Sequence, residues 1–190
     1  MNEPMNAQGA KICYDRPGDV WFFAYGSLMW NPGFTPLKTL PALLHGRHRS
    51  FCVSSRHYRG TDADPGLVLG LDKGGSCHGY VHLVAEAERD AVFAELEKRE
   101  MREDIYACCV VTPRTAESVV EACTFVLNRD SRIYAGKLPQ DKIARRIARC
   151  AGERGSNREY LENTVRHLDE LGIGDGPMHR LLQRVEALKS

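Results

Sequence analysis

An α+β domain is the fold class this sequence predicts, on three observations. Short runs rich in Val, aromatic and Cys residues crowd the first two-thirds of the 190 residues, one Ala-, Glu-, Lys- and Leu-rich stretch interrupts them, and the last third is patterned for helices. Strands gathered early around a single inserted helix do not make the repeating βαβ array of a parallel sheet. One domain, residues 19–190, accounts for the length, behind a loose polar tail over Met1–Gly18. A chain of this size buries about 70% of its unfolded surface, so folding needs neither metal nor disulfide.

The first strand is Val20–Ala24, an apolar run stopped by the turn former Gly26. Leu43–Ser54 is a further candidate. Gly66–Leu71, Cys77–Val84, Ile105–Thr112 and Ser118–Leu127 follow, each short and bounded by Gly, Pro or Asp. Ala85–Arg99 contains no Gly or Pro and reads as a helix. Pro139 opens another, with Ile143 and Ile147 four apart and Gly152 placed to end it. Ser156-Asn157-Arg158-Glu159 forms a capping box ahead of Tyr160, Leu161, Val165 and Leu168, with Gly172 beyond. Asp175 and Pro177 can cap a last helix carrying Leu181, Leu182, Val185 and Leu188.

Composition excludes several functions. The chain carries 26 Lys plus Arg against 25 Asp plus Glu, for a net charge of +1. Binding that rests on phosphate neutralisation needs a basic face, so a nucleic-acid partner is not expected. No apolar stretch approaches the 18 or so residues that span a bilayer, so neither is a membrane role. The polar N-terminus lacks the charged start and apolar middle of a signal peptide. Seven cysteines, odd in number and without a CxxC, suit a reducing compartment, and the expected location is cytoplasmic.

Two features could carry chemistry. Tyr25-Gly26-Ser27-Leu28 follows the first strand directly, and a Gly-Ser turn there exposes backbone N–H groups that can hold a carboxylate; the alternative is a plain turn. It is not a P-loop, a dinucleotide loop or a Gly-x-Ser-x-Gly nucleophile elbow. Glu100 falls on the apolar arc defined by Val92, Phe93 and Leu96 at 100° per residue. Burial raises a carboxylate's pKa and makes it a candidate general base. Its other reading is a helix-end residue paired with Arg99 or Arg102.

Other groups point elsewhere. His78 and His82, four apart in a strand, lie about 13 Å from each other, too far to share an ion, and His45 with His48 is no stronger a metal pair. Cys108 and Cys109 point to opposite strand faces and read as packing. Arg47, His48, Arg49, Arg56 and Arg59 form a basic cluster, either a solvated rim or an anchor for a small anionic substrate.

Taken together, Tyr25-Gly26-Ser27-Leu28, Arg99-Glu100-Met101, Thr124–Leu138 (TFVLNRDSRIYAGKL), Gly155-Ser156-Asn157 with Glu159-Tyr160-Leu161, and Gly172-Ile173-Gly174-Asp175 resemble the ChaC family of γ-glutamylcyclotransferases, above all its bacterial branch. The resemblance covers about residues 20–188. It implies a compact mixed β-barrel with peripheral helices, and cleavage of glutathione into 5-oxoproline and cysteinylglycine without a cofactor. It also implies that Tyr25, Gly26, Ser27 and Leu28 hold the γ-glutamyl group, that Glu100 is the essential glutamate, and that Tyr106 and Tyr134 line the pocket. The chain departs from the family pattern at Ala24, where glycine is frequent, and at Val81-His82, where an aromatic-Arg pair is common.

The leading expectation is therefore a glutathione-directed γ-glutamylcyclotransferase with Glu100 as acid/base. Three alternatives stay open at this point. One keeps the chemistry with other γ-glutamyl peptides or amines, another is a non-catalytic regulator of cation transport, as the family's historical name suggests, and the last is a metal or redox protein.

Overall fold

The computed structural model describes residues 17–100 and 105–188, with backbone only for Arg99 and Glu100. The tail up to residue 16 lies outside the described residues. Gly18, at its end, donates its N–H to Glu86 Oε1 at 2.9 Å. The chain divides into two compact units, residues 17–48 with 71–131 and residues 49–70 with 132–188.

The first unit is built on a mixed sheet. The sheet's strands are β1 (Val20–Ala24), β2 (Lys38–Ser55), β3 (Gly66–Val84), β4 (Tyr106–Val111) and β5 (Ala122–Leu127), ordered β2-β3-β1-β5-β4, with residues 49–55 of β2 and 66–70 of β3 belonging to the second unit. β1 is central, antiparallel to β3 with Phe23 opposite Val81 and parallel to β5 with Phe22 opposite Cys123. A strand paired on both sides and covered on both faces must be apolar throughout, as Val20–Ala24 is. Phe23 joins Leu44, Leu71, Val81 and Val126 in one cluster. On the other face Phe22 meets the rings of Phe93 and Phe125, with centroids 6.1 and 5.6 Å away.

Helix α1 (Glu86–Glu100) supplies that Phe93. Asp19 Oδ1 accepts the Glu86 N–H at its start (3.0 Å). The predicted arc is the buried one: Phe93 and Leu96 are buried, Val92 is half-buried, and Glu95 and Lys98 are exposed.

Several strand predictions need correction, among them Ser118–Leu127, whose strand begins at Ala122. Gly66–Leu71 and Cys77–Val84 are one strand, and Leu43–Ser54 extends to Lys38–Ser55. The apparent turn at Asp72-Lys73-Gly74-Gly75 is a bend within β3, where Gly74 and Gly75 take φ of 96° and 69°. His48 Nδ1 lies 2.9 Å from the Gly74 carbonyl there, and its ring needs a hydrogen on that nitrogen to donate. The fold is mixed α+β as expected, but its sheet is open rather than a closed barrel. Among the described residues its margins β2 and β4 meet beyond β4, at the isolated bridge Leu43–Arg114. Pro113, which has no N–H to offer a ladder, breaks β4 just before the two can pair at length.

The second unit holds helices α2 (Gln140–Arg149), α3 (Asn157–Glu170) and α4 (Gly176–Ala187). Their buried stripes are Ile143 and Ile147, Leu161, Val165 and Leu168, and Met178, Leu181 and Val185. The Ser156 half of the predicted box forms, with Glu159 N donating to Ser156 Oγ (3.0 Å). Asp175 caps α4 by accepting from Met178 N (3.1 Å). Gly172, at φ 69°, follows α3, and Ile173 N returns to the Leu168 carbonyl (2.8 Å). Gly152 does not end α2; Cys150 does, in extended backbone. Gly152 instead pairs with Gly155 between the two-residue strands β6 (Ala151–Gly152) and β7 (Gly155–Ser156). A Cβ on it would meet the His57 carbonyl and the backbone of Gly60, so close approach is what requires a glycine there. No helix among the described residues is long and apolar enough to cross a membrane.

Candidate active site

The Tyr25–Leu28 loop lies at the end of the central strand, and three contacts within the first unit shape it. Thr124, fully buried on β5, donates its hydroxyl to the Phe23 carbonyl at 2.7 Å. Gly79 on β3 leaves room for the Ala24 carbonyl, which a Cβ would strike, while also pressing on Phe23 Cζ at 2.9 Å. His82, only 2% exposed, places Nε2 3.1 Å from the Leu28 carbonyl and Nδ1 2.9 Å from Thr39 Oγ1.

Past Tyr25 the chain makes a single 3₁₀ turn, Ser27–Met29. Met29 N donates to the Gly26 carbonyl (2.9 Å) and Asn31 N to the Ser27 carbonyl (2.8 Å). Leu28 and Met29 are buried, and Tyr25, Gly26 and Ser27 are half-buried. Tyr25 packs against the Phe23 cluster. The loop therefore has a buried footing and an accessible leading edge, as a binding turn on a rigid strand requires.

The other predicted residues are placed less closely. Glu100 closes α1 one turn beyond Leu96, and its side chain lies outside the described residues. Tyr106 opens β4 opposite Leu127, and strand alternation puts it on the face of Cys108 and Phe125. Tyr134 belongs to the second unit, where it bridges Val53.

The basic cluster separates on inspection. Arg49 is buried, 3.4 Å from Asp175 Oδ2. Arg59 donates to the Ser156 carbonyl (3.1 Å) and lies over the Tyr160 ring, 5.1 Å from its centroid. Arg56 is exposed, 3.8 Å from Asp62. Arg47 keeps a buried Nη1 with no hydrogen-bond partner among the described residues.

Of the histidines weighed for metal, His78 is exposed and His82 buried. Among the described residues no three His, Cys, Asp or Glu side chains gather as a metal site. Cys52, Cys77, Cys108, Cys123 and Cys150 are buried and Cys109 is half-buried, and none of the six is in a disulfide.

Sequence reasoning missed Thr124, Gly79 and His82 as supports of the loop. Each was visible, Thr124 at the head of TFVLNRD, Gly79 as a strand landmark and His82 as a departure from the family pattern, but none shows locally that it faces the loop.

Gly79→Ala should destabilise the protein by about 1–3 kcal/mol, because neither the Ala24 backbone nor the fully buried Phe23 ring can yield. Urea denaturation measures it, and an unchanged midpoint counts against the close approach.

Stability should also depend on pH through two histidines. Burial holds the His82 imidazole below its ordinary value of about 6.5, against a smaller opposing effect of the Leu28 hydrogen bond. The unfolded chain then binds the extra proton first, so this contribution to stability is lost as pH falls below about 6.5 toward the folded value. His179 has the opposite sign, raised by its hydrogen bond to the Asp175 carbonyl and then by Asp169. Its contribution is present below about 6.5 and is lost as pH rises through its folded value. Melting temperature against pH should therefore fall on both sides of a maximum near 6.5, with His82→Gln flattening the acid limb and His179→Gln the alkaline one.

Comparison with known proteins agrees with this architecture. The family model described as "ChaC-like protein" matches residues 20–188. The glutathione-specific γ-glutamylcyclotransferase of Escherichia coli (strain K12) is 33% identical over 180 residues, covering 93% of this chain and 77% of the relative. Gamma-glutamylcyclotransferase 2-3 of Arabidopsis thaliana is 31% identical over 181 residues, covering 90% of each chain. The crystal structure of a γ-glutamylcyclotransferase specific to glutathione from yeast superposes with a TM-score of 0.80 at 23% identity, over 90% of this chain and 100% of the other. The sheet, the inserted helix and the terminal helices are thus those of a known fold, and the chain belongs to the ChaC-like family.

Proposed function

We propose that this chain is a γ-glutamylcyclotransferase that cleaves glutathione to 5-oxoproline and cysteinylglycine, with residues 19–190 working as one domain. The observation that carries the reading is the family match over residues 20–188, within which the Tyr25–Leu28 turn and the helix ending at Glu100 are both intact. Relatives named for glutathione cover most of the chain.

The chemistry needs little machinery. The α-amine of glutathione lies within reach of its own γ-carbonyl, so attack is intramolecular and closes a five-membered lactam. An ammonium cannot attack. Glu100 takes one proton from the ammonium, the freed amine nitrogen bonds to the γ-carbon, and the bond from that carbon to the cysteinyl nitrogen breaks as Glu100 returns the proton to that nitrogen; the ring nitrogen then gives up its second surplus proton, so that cysteinylglycine leaves as an ammonium and Glu100 is again a carboxylate. One carboxylate serves both transfers, and no cofactor enters. The turn at Tyr25, Gly26, Ser27 and Leu28 holds the γ-glutamyl group, with backbone N–H groups on its α-carboxylate, and Tyr106 lines the pocket beside it. A near-neutral protein with seven cysteines and no CxxC suits the reducing cytoplasm, where such a thiol peptide persists.

Incubating purified protein with reduced glutathione should release 5-oxoproline and cysteinylglycine in equal amounts. Absence of both overturns the reading. Faster turnover of γ-glutamyl amino acids than of glutathione would keep the chemistry and replace the substrate.

A further inference from the structure

We propose that His82 is a positioning residue for the substrate turn, holding the Leu28 carbonyl so that Tyr25–Leu28 has its binding shape before the γ-glutamyl group arrives. This role rests on the reading that the turn receives that group. Each carbonyl from Gly26 to Leu28 has a donor. Gly26 O is taken by Met29 N, and Ser27 O by Trp30 N (3.3 Å) and Asn31 N (2.8 Å). Leu28 O receives its hydrogen bond from a side chain 54 residues away, His82 Nε2 at 3.1 Å.

The tautomer follows from the partners. A carbonyl oxygen only accepts, so Nε2 carries the proton. The neutral ring then accepts at Nδ1 from the Thr39 hydroxyl, 2.9 Å away on β2. Phe34 covers one edge, its ring perpendicular to the imidazole at 6.0 Å. Strand β3, strand β2 and the segment after the turn therefore meet on one buried ring. Leu37 N, donating to the neighbouring Leu83 carbonyl (2.8 Å), returns that segment to β3.

Packing alone does not account for this choice. An aliphatic residue would fill the space, yet strand the Leu28 carbonyl and the Thr39 hydroxyl without partners. A turn that has to be ordered by substrate binds more weakly than one ordered beforehand, since ordering is charged against affinity.

Steady-state kinetics on glutathione, run well below the melting temperatures, tests it. His82→Leu should raise KM about tenfold to a hundredfold with a smaller fall in kcat, as for loss of one buried hydrogen bond on which binding depends. His82→Gln, whose amide nitrogen can reach the place of Nε2, should recover most of the loss. Nitrogen-15 NMR of the wild-type imidazoles should show one ring as the neutral Nε2–H tautomer, lost in His82→Gln. Should His82→Leu fail to fold, Thr39→Val carries the kinetic test, with KM rising in the same direction. Unchanged KM in the folded variants, or an Nδ1–H tautomer for His82, overturns the inference while leaving the activity in place. No turnover by wild type overturns the functional reading itself.

Discussion

Exchanging Glu100 for Gln is expected to lower kcat by about 10²–10⁴-fold, the range attributed to a positioned proton-transfer group. Gln matches Glu in size and can hold a hydrogen bond to the ammonium, but it cannot take the proton. The helix it closes is anchored by Phe93 and Leu96, so the melting temperature should stay within about 2 °C of wild type. Residual turnover should also respond to pH. Where solvent must deprotonate the amine, the rate rises tenfold per pH unit until the free amine predominates, whereas wild type, with its own base, levels off earlier. Full activity in Glu100→Gln would remove Glu100 from the mechanism. An inactive variant with a collapsed melting temperature would show that the carboxylate is needed for folding.

What is legible in the sequence is what local chemistry dictates. Val20–Ala24 is a strand with the predicted bounds because a five-residue apolar run ended by Gly has few other uses. The caps at Ser156 and Asp175 and the stop at Gly172 are readable because each bonds within three to five residues of itself. The Tyr25–Leu28 turn is marked by resemblance and lies in the structure as a turn on the central strand. Less legible is anything set by distant partners. The long strand β3 reads as two shorter pieces because Gly74 and Gly75, both at positive φ, look like a turn until a neighbouring strand keeps the pairing going. Gly152 has the spacing of a helix stop, yet its reason is the His57 carbonyl, 95 positions earlier in the chain. His82 reads as half of a poor metal pair, since nothing within four residues of it discloses Leu28 and Thr39.

Asn157 shows how much one such distant contact contributes, and its removal should cost more stability than removal of either helix cap, Ser156 or Asp175, each worth about 1 kcal/mol. The side chain is fully buried at the start of α3, with Nδ2 donating to the Leu67 carbonyl and Oδ1 accepting from the Leu67 N–H, both at 2.6 Å. Its own N–H donates to the Cys150 carbonyl (2.9 Å). One amide thus substitutes for a strand neighbour at Leu67 while it starts a helix. Gly66 beside it must be glycine, because a Cβ would approach Asn157 Oδ1 to 2.8 Å and strike the Arg59 carbonyl. Asn157→Leu keeps the volume but leaves a backbone donor and an acceptor buried without partners, at about 1–3 kcal/mol each, so the expected cost is about 2–6 kcal/mol. Asn157→Asp should also be destabilising, since a carboxylate cannot donate to the Leu67 carbonyl and would be buried with its charge. Guanidinium unfolding of the three proteins measures both losses. A midpoint for Asn157→Leu within about 0.5 kcal/mol of wild type would mean that water reaches Leu67, and that the asparagine is held there for something other than stability.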